Sequence, residues 1–277
     1  PAIIIYNQRQ GQSGLSNTPE SCKTTITDCL FYQNYARSSG VCGTIRTGGG
    51  VVGHTIITNS NIRENYVVGY CGGLLASAQG VEETCTTLNG CNIYKNQAGT
   101  YAGGAMFSGT FQFTGNVSQI YNNKAATYGG GVYVITYNGV NFSQPKVLDM
   151  NFNNKLKIYG NTAKHGGGMC LNFRNTTSLY QNSTINLNID GTSIYDNTVT
   201  ANGGGIFLTY NNSKLNINLN IKAGEIRENK ATGGGGGIYC QVGPTETSTE
   251  ELEANLDATR CKVRLNGGKI YKNESTG

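Results

Sequence analysis

The residues best equipped for chemistry are nine cysteines, two histidines and a scatter of acids in a chain of 277 residues. The cysteine spacings lack the tight Cys-x-x-Cys pairs of zinc sites, and two histidines cannot complete such sites. No metal ligand set is therefore expected, and structural disulfides are the favoured reading. Two similar phrases, Cys22 to Cys29 and Cys85 to Cys91, suggest two small closed loops, Cys22–Cys29 and Cys85–Cys91. Cys42 and Cys71 stand at near-equivalent places in successive repeats and are expected to pair. Cys240 and Cys261 bracket the longest insertion and are expected to pin its base, while Cys170 is left as a buried thiol. His165 precedes a glycine cluster, and neither it nor His54 can be assembled with a Ser and an Asp into a nucleophilic triad. Both read as turn or surface residues.

Carbohydrate-cleaving chemistry would need clustered carboxylates, for proton transfer or to hold Ca²⁺. The best row comprises Gln33, Glu64, Lys95, Asn122, Gly160, Asp196, Glu228 and Lys272, each standing one residue before a recurring Asn. Asp196 and Glu228 would be neighbours in it, and an acid pair that close shifts its pKa. Charges of both signs in one row fit a solvated ladder better, so no catalytic residue and no cofactor is expected. The acids in the insertion at 244–260 (Glu246, Glu250, Glu251, Glu253 and Asp257) read as a solvated surface segment.

The elements that must position these residues come from a repeat. An apolar residue, usually a Tyr, a variable residue and then Asn recur from Phe31-Tyr32-Gln33-Asn34 to Ile270-Tyr271-Lys272-Asn273. The anchors are Asn34, Asn65, Asn96, Asn123, Asn161, Asn197, Asn229 and Asn273, spaced by 31, 31, 27, 38, 36, 32 and 44 residues. Glycine clusters follow most of them, and 40 glycines are about twice the usual share. The run Leu215 to Ile221 alternates apolar and polar residues, as a half-buried strand does. Three short strands per unit of this length predict an all-β fold: a right-handed parallel β-helix of about eight three-strand coils, one domain over 1–277. In such a coil stack the apolar residue forms an interior ladder. The Asn forms a ladder at a bend, where its amide bonds the backbone and positive φ is tolerated, and the glycines turn a corner.

Composition excludes other classes. Only 13% of residues are charged and hydrophobic residues make 37%, which argues against a disordered tail. No apolar run reaches the ~18 residues of a membrane helix. The net charge of +5 is scattered, unlike the basic patch of a nucleic-acid binder.

The aromatic/aliphatic-x-x-Asn phrase followed by Gly-Gly-apolar, as in Ile93-Tyr94-Lys95-Asn96 and Gly103-Gly104-Ala105, resembles the repeat of the chlamydial polymorphic outer membrane protein family. It is also similar to β-helix repeats of adhesin-like surface proteins of bacteria and protists. The resemblance spans about residues 29–277. It implies a surface-displayed structural or adhesive protein without catalysis.

Three expectations complete the sequence reading. Six Asn-x-Ser/Thr triplets, at Asn116, Asn141, Asn175, Asn182, Asn211 and Asn273, together with the cysteines suggest a secreted glycoprotein, extracellular or at the cell surface. Tyr32, Tyr94, Tyr121, Tyr159, Tyr195 and Tyr271 follow the inward residue and should form an outward stripe. That stripe would stack on itself, or contact a glycan or another protomer. The chain opens on Pro1-Ala2-Ile3-Ile4-Ile5 and stops where a glycine cluster is due, so it reads as an excised segment. Its partner would be neighbouring repeats of the same chain or another copy, stacked head to tail into a filament. A polysaccharide-acting β-helix enzyme and a carbohydrate-binding module are the alternatives.

Overall fold

A computed structural model describes residues 3–5, 23–37, 43–47, 54–77, 85–108, 110–135, 147–173, 183–210, 215–243 and 260–277. The insertion at 244–260 lies outside them except for Arg260. The described elements are strands, and they pair in parallel around a rod. The chain is a right-handed parallel β-helix of eight levels, rising roughly 38 Å at ~4.8 Å per level.

Four sheets make its sides. The corner sheet has eight strands, beginning with Ile3–Ile5 and Ile45–Thr47 and ending with Ile206–Tyr210 and Ile238–Val242. A short sheet stacks Lys23–Thr27, His54–Thr58, Cys85–Asn89 and Thr110–Thr114. The ten-stranded tyrosine sheet carries the repeated phrase, from Leu30–Tyr32 to Lys269–Tyr271. The Asn turn then leads into a fourth sheet of eight two-residue strands, from Tyr35–Ala36 to Glu274–Ser275. Each turn of chain thus holds a short extra strand after the Asn, which was not visible as a separate run of β-formers. In two upper coils the short and tyrosine sides fuse into single twelve-residue strands, Thr184–Tyr195 and Asn216–Arg227. These bend at Gly191 (φ 93°) and Gly224 (φ 101°), where the pairing register shifts.

Alternation along the strands selects what enters the core. In Asn216–Arg227 the apolar Ile217, Leu219 and Ile221 are buried while Asn216, Asn218 and Asn220 are half-buried outside. The phrase isoleucines Ile62, Ile93, Ile120, Ile158, Ile194 and Ile226 form one continuous interior ladder. Each contributes about 1.5–3 kcal/mol by leaving water. Phe107, Phe111, Phe113 and Phe152 fill the middle of the same core, with ring centroids 4.4–6.4 Å apart. The glycine corner is required sterically. A Cβ on Gly104 would lie 2.6 Å from Gly131 O and 2.7 Å from Ile120 Cγ2, so coils could not approach to strand distance.

Candidate functional site

The Asn row is a closed hydrogen-bond ladder. Asn161 donates its backbone N–H (3.0 Å) and Nδ2 (3.0 Å) to Asn197 Oδ1, and Nδ2 also donates to Ile120 O at 3.0 Å. Its own Oδ1 accepts from Asn123 N (2.9 Å) and Nδ2 (3.0 Å). The pattern runs from Asn34 through Asn65, Asn96, Asn123, Asn161, Asn197 and Asn229 to Asn273. Buried amides with every donor and acceptor used are cheap to bury, which is why Asn fits here and a shorter polar residue does not.

Positive φ does not fall on the Asn, as expected from sequence, but on the residue before it. Gln33, Glu64, Lys95, Asn122, Asp196, Glu228 and Lys272 all have φ of 53–56°, and Gly160 has 64°. That row is the one with the chemistry-bearing acids. Its two glutamates are engaged: Arg63 reaches Glu64 at 2.8 Å, Arg227 pairs with Glu228 and, outside the row, with Glu225 at 3.3 Å, and Lys272 lies 4.0 Å from Glu228. The two histidines are likewise occupied. His54 Nε2 meets Thr87 Oγ1 at 2.7 Å, and burial, then Lys23, lowers its pKa. His165 stacks on Tyr128 at 5.2 Å and packs on Phe207 at 5.0 Å.

The tyrosines form a column of parallel rings. Tyr94, Tyr121, Tyr159 and Tyr195 stack at 4.8–4.9 Å with interplanar angles of 2–3°. Arginines take the next places in the row: Arg227 lies 4.3 Å over the Tyr195 ring, and Arg63 lies 4.9 Å over Tyr32. The faces of the inner rings are therefore spent on one another, and solvent meets their edges and hydroxyls. Burial raises the pKa of Tyr121, Tyr159 and Tyr195, helped at Tyr121 and Tyr159 by neighbouring tyrosines. Beside this column, outward amides make their own ladders: Asn218 to Asn186 to Asp149 at 2.9 and 2.8 Å, and Asn220 to Asn188 to Asn151 at 3.1 and 3.0 Å.

A second aromatic column escaped the sequence reading. Tyr70 stacks on Tyr101 and Tyr128 on His165, with Tyr101 and Tyr128 tilted by 44°, beside the glycine corner and over Tyr133 and Phe207 on the outer side of the corner sheet. The signal was available: each stands two residues before the last two glycines or glycine-like positions of its corner, as in Tyr101-Ala102-Gly103-Gly104.

The expected pairs Cys22–Cys29, Cys85–Cys91 and Cys42–Cys71 each include a cysteine outside the described residues or side chains. Cys22 lies outside the described residues, as does the side chain of Cys85. Cys29 and Cys91 are free thiols that take part in a ladder with serines at the next corner. Cys29 N donates to Ser60 Oγ (3.2 Å) and Cys91 N to Ser118 Oγ (3.1 Å), while the Cys91 thiol donates to Ile57 O at 3.1 Å. Cys42 lies outside the described residues; Cys71 is buried with φ 66°, and Cys170 is buried in the outer aromatic cluster. Cys240 and Cys261 are two unbonded thiols in the last coil.

Among the sequons, Asn116 sits on an exposed turn, whereas Asn273 commits its Nδ2 to Ile226 O at 2.8 Å inside the Asn ladder. Asn141, Asn175, Asn182 and Asn211 lie outside the described residues. No helix among those residues is long and apolar enough to cross a membrane.

These rows define a parallel β-helix held by an Asn ladder on one bend and a glycine corner on another. Residues 225–241 of it match the family model described as the Chlamydia polymorphic membrane protein (Chlamydia_PMP) repeat. The matched stretch holds one full unit of the pattern, Ile226-Arg227-Glu228-Asn229 followed by the 233–237 glycine cluster and Ile238-Tyr239. No curated protein and no solved structure matches the chain.

Proposed function

We propose that the chain is a non-catalytic β-solenoid of an extracellular or cell-surface protein, with a structural or adhesive role, built to stack on further coils of its own kind. The observation that carries this reading is the continuity of the ladders: the isoleucine and Asn rows run through successive coils, so each coil is held by the one stacked on it. In every lower coil the Asn N–H and Nδ2 bond the Asn above. The match of residues 225–241 to a surface-protein repeat supports the location.

Light scattering and electron microscopy of the purified chain test the stacking. Rods that lengthen with concentration are expected, and Ile270→Lys with Leu265→Lys should hold the chain monomeric without loss of β-structure. The same length distribution in wild type and variant would refute it. Stacked ring faces do not favour the glycan-stacking alternative, since a sugar packs on a ring face rather than an edge.

A further inference from the structure

In the last coil two inward ladders end in cysteine. The Ile238–Val242 strand sets Cys240 over Leu208, and the Cys261–Leu265 strand sets Cys261 over Ile217. Leu208 and Ile217 are fully buried members of one core cluster, so both cysteines continue inward rows of that core from different sheets. Cys261 packs on that core, and Cys240 is the more exposed of the two. Burial, and then the nearby Cys240, pushes the Cys261 thiol up to about 11, and burial raises Cys240 as well.

We propose that Cys240 and Cys261 form a redox-controlled cross-brace, a disulfide that ties the corner sheet to the tyrosine sheet at the C-terminal edge of the rod. Position argues for this pair over the others. The thiols of Cys29 and Cys91 donate to backbone carbonyls within the corner ladder. Cys240 and Cys261 stand over inward core positions of two different sheets, and Cys240 is near enough to bear on the Cys261 thiol.

The oxidant is a small disulfide such as glutathione disulfide. Cys240, the accessible thiol, loses its proton to water, and its thiolate attacks one glutathione sulfur. The S–S bond of the reagent breaks and one glutathione thiolate leaves. Cys261 then loses its proton and attacks the Cys240 sulfur, forming the protein disulfide and releasing the second glutathione. Two protein thiols are oxidised by two electrons, and one reagent disulfide becomes two thiols that take up the two protons. Because both thiols are held protonated at neutral pH, the exchange is slow and the brace persists once made.

A closed ring from 240 to 261 lowers the unfolding equilibrium constant of the terminal coil on the order of 10²-fold, by restricting its unfolded ensemble. The brace also holds the Cys261–Leu265 edge in the register that a stacked coil would need. It does not rest on stacking, and its test reads the last coil alone.

The full chain is incubated in glutathione disulfide, alkylated under denaturing conditions and mapped by mass spectrometry. Native hydrogen exchange is then compared before and after reduction. A linked peptide joining Cys240 to Cys261 is expected, with amide protection over Ile238–Val242 and Cys261–Leu265 falling about 100-fold on reduction. Cys240→Ser should leave Cys261 alkylatable or singly glutathionylated, with that same loss of protection and an unchanged β-sheet spectrum. Two alkylated cysteines after oxidation, or two separate glutathione adducts, would overturn the proposal, as would protection that ignores redox state.

Discussion

Asn161 shows what one residue does in this fold. It takes part in five hydrogen bonds within the ladder, all of them buried. Asn161→Ala strands the Asn123 N–H and the Ile120 carbonyl away from water, and each such orphan costs about 1–3 kcal/mol. We expect a loss of roughly 3–5 kcal/mol in denaturant unfolding, larger than for the partly exposed Asn34. The positive-φ residue before each Asn behaves in the opposite way. Lys95 holds φ 54° although its side chain gains little from that geometry. Lys95→Gly should be neutral or stabilising by up to about 1 kcal/mol, while Lys95→Val should destabilise by about 1–2 kcal/mol. The Asn anchor was legible because its type never changes. The strained position was not, because Gln, Glu, Lys, Asn, Asp and Gly all occupy it, and nothing in that variety speaks of backbone conformation.

At the scale of elements, the corner glycines and the tyrosine column make separate demands. Gly104→Ala drives a Cβ to 2.6 Å from a carbonyl oxygen of the next coil, and backbone there cannot yield. It should cost more than about 3 kcal/mol, in the range of severe packing defects, and open the Ala105–Ser108 pairing to hydrogen exchange. Tyr121→Ala removes two stacked neighbours and should cost about 1–2 kcal/mol with the fold retained. The stack also sets an alkaline limit. Its folded-state pKa values are raised above the unfolded value near 10, so its contribution is complete below pH ~10 and is lost as pH climbs through the higher folded values. An absorbance titration of wild type should therefore show late-ionising tyrosines that Tyr121→Ala advances; simultaneous ionisation of all tyrosines near 10 would contradict the stack. The repeat made the main strands readable, and alternation placed the column outward. The two-residue strands after each Asn carry too few residues to show a period of their own.

At the scale of the molecule, the low charge and high glycine content become consequences of stacking. Like residues recur at ~4.8 Å, where rows of equal charge would repel, so the outer rows use amides, tyrosines and mixed ion pairs instead. The solenoid form was legible from the spacing of eight anchors. The most direct test of a stacking solenoid is electron microscopy of the purified chain across a concentration series, with the Ile270→Lys, Leu265→Lys variant beside it. Rods growing end to end with a ~4.8 Å axial repeat, absent in the variant, are the predicted result. Particles of one coil stack, about 38 Å long at every concentration for both proteins, would contradict it.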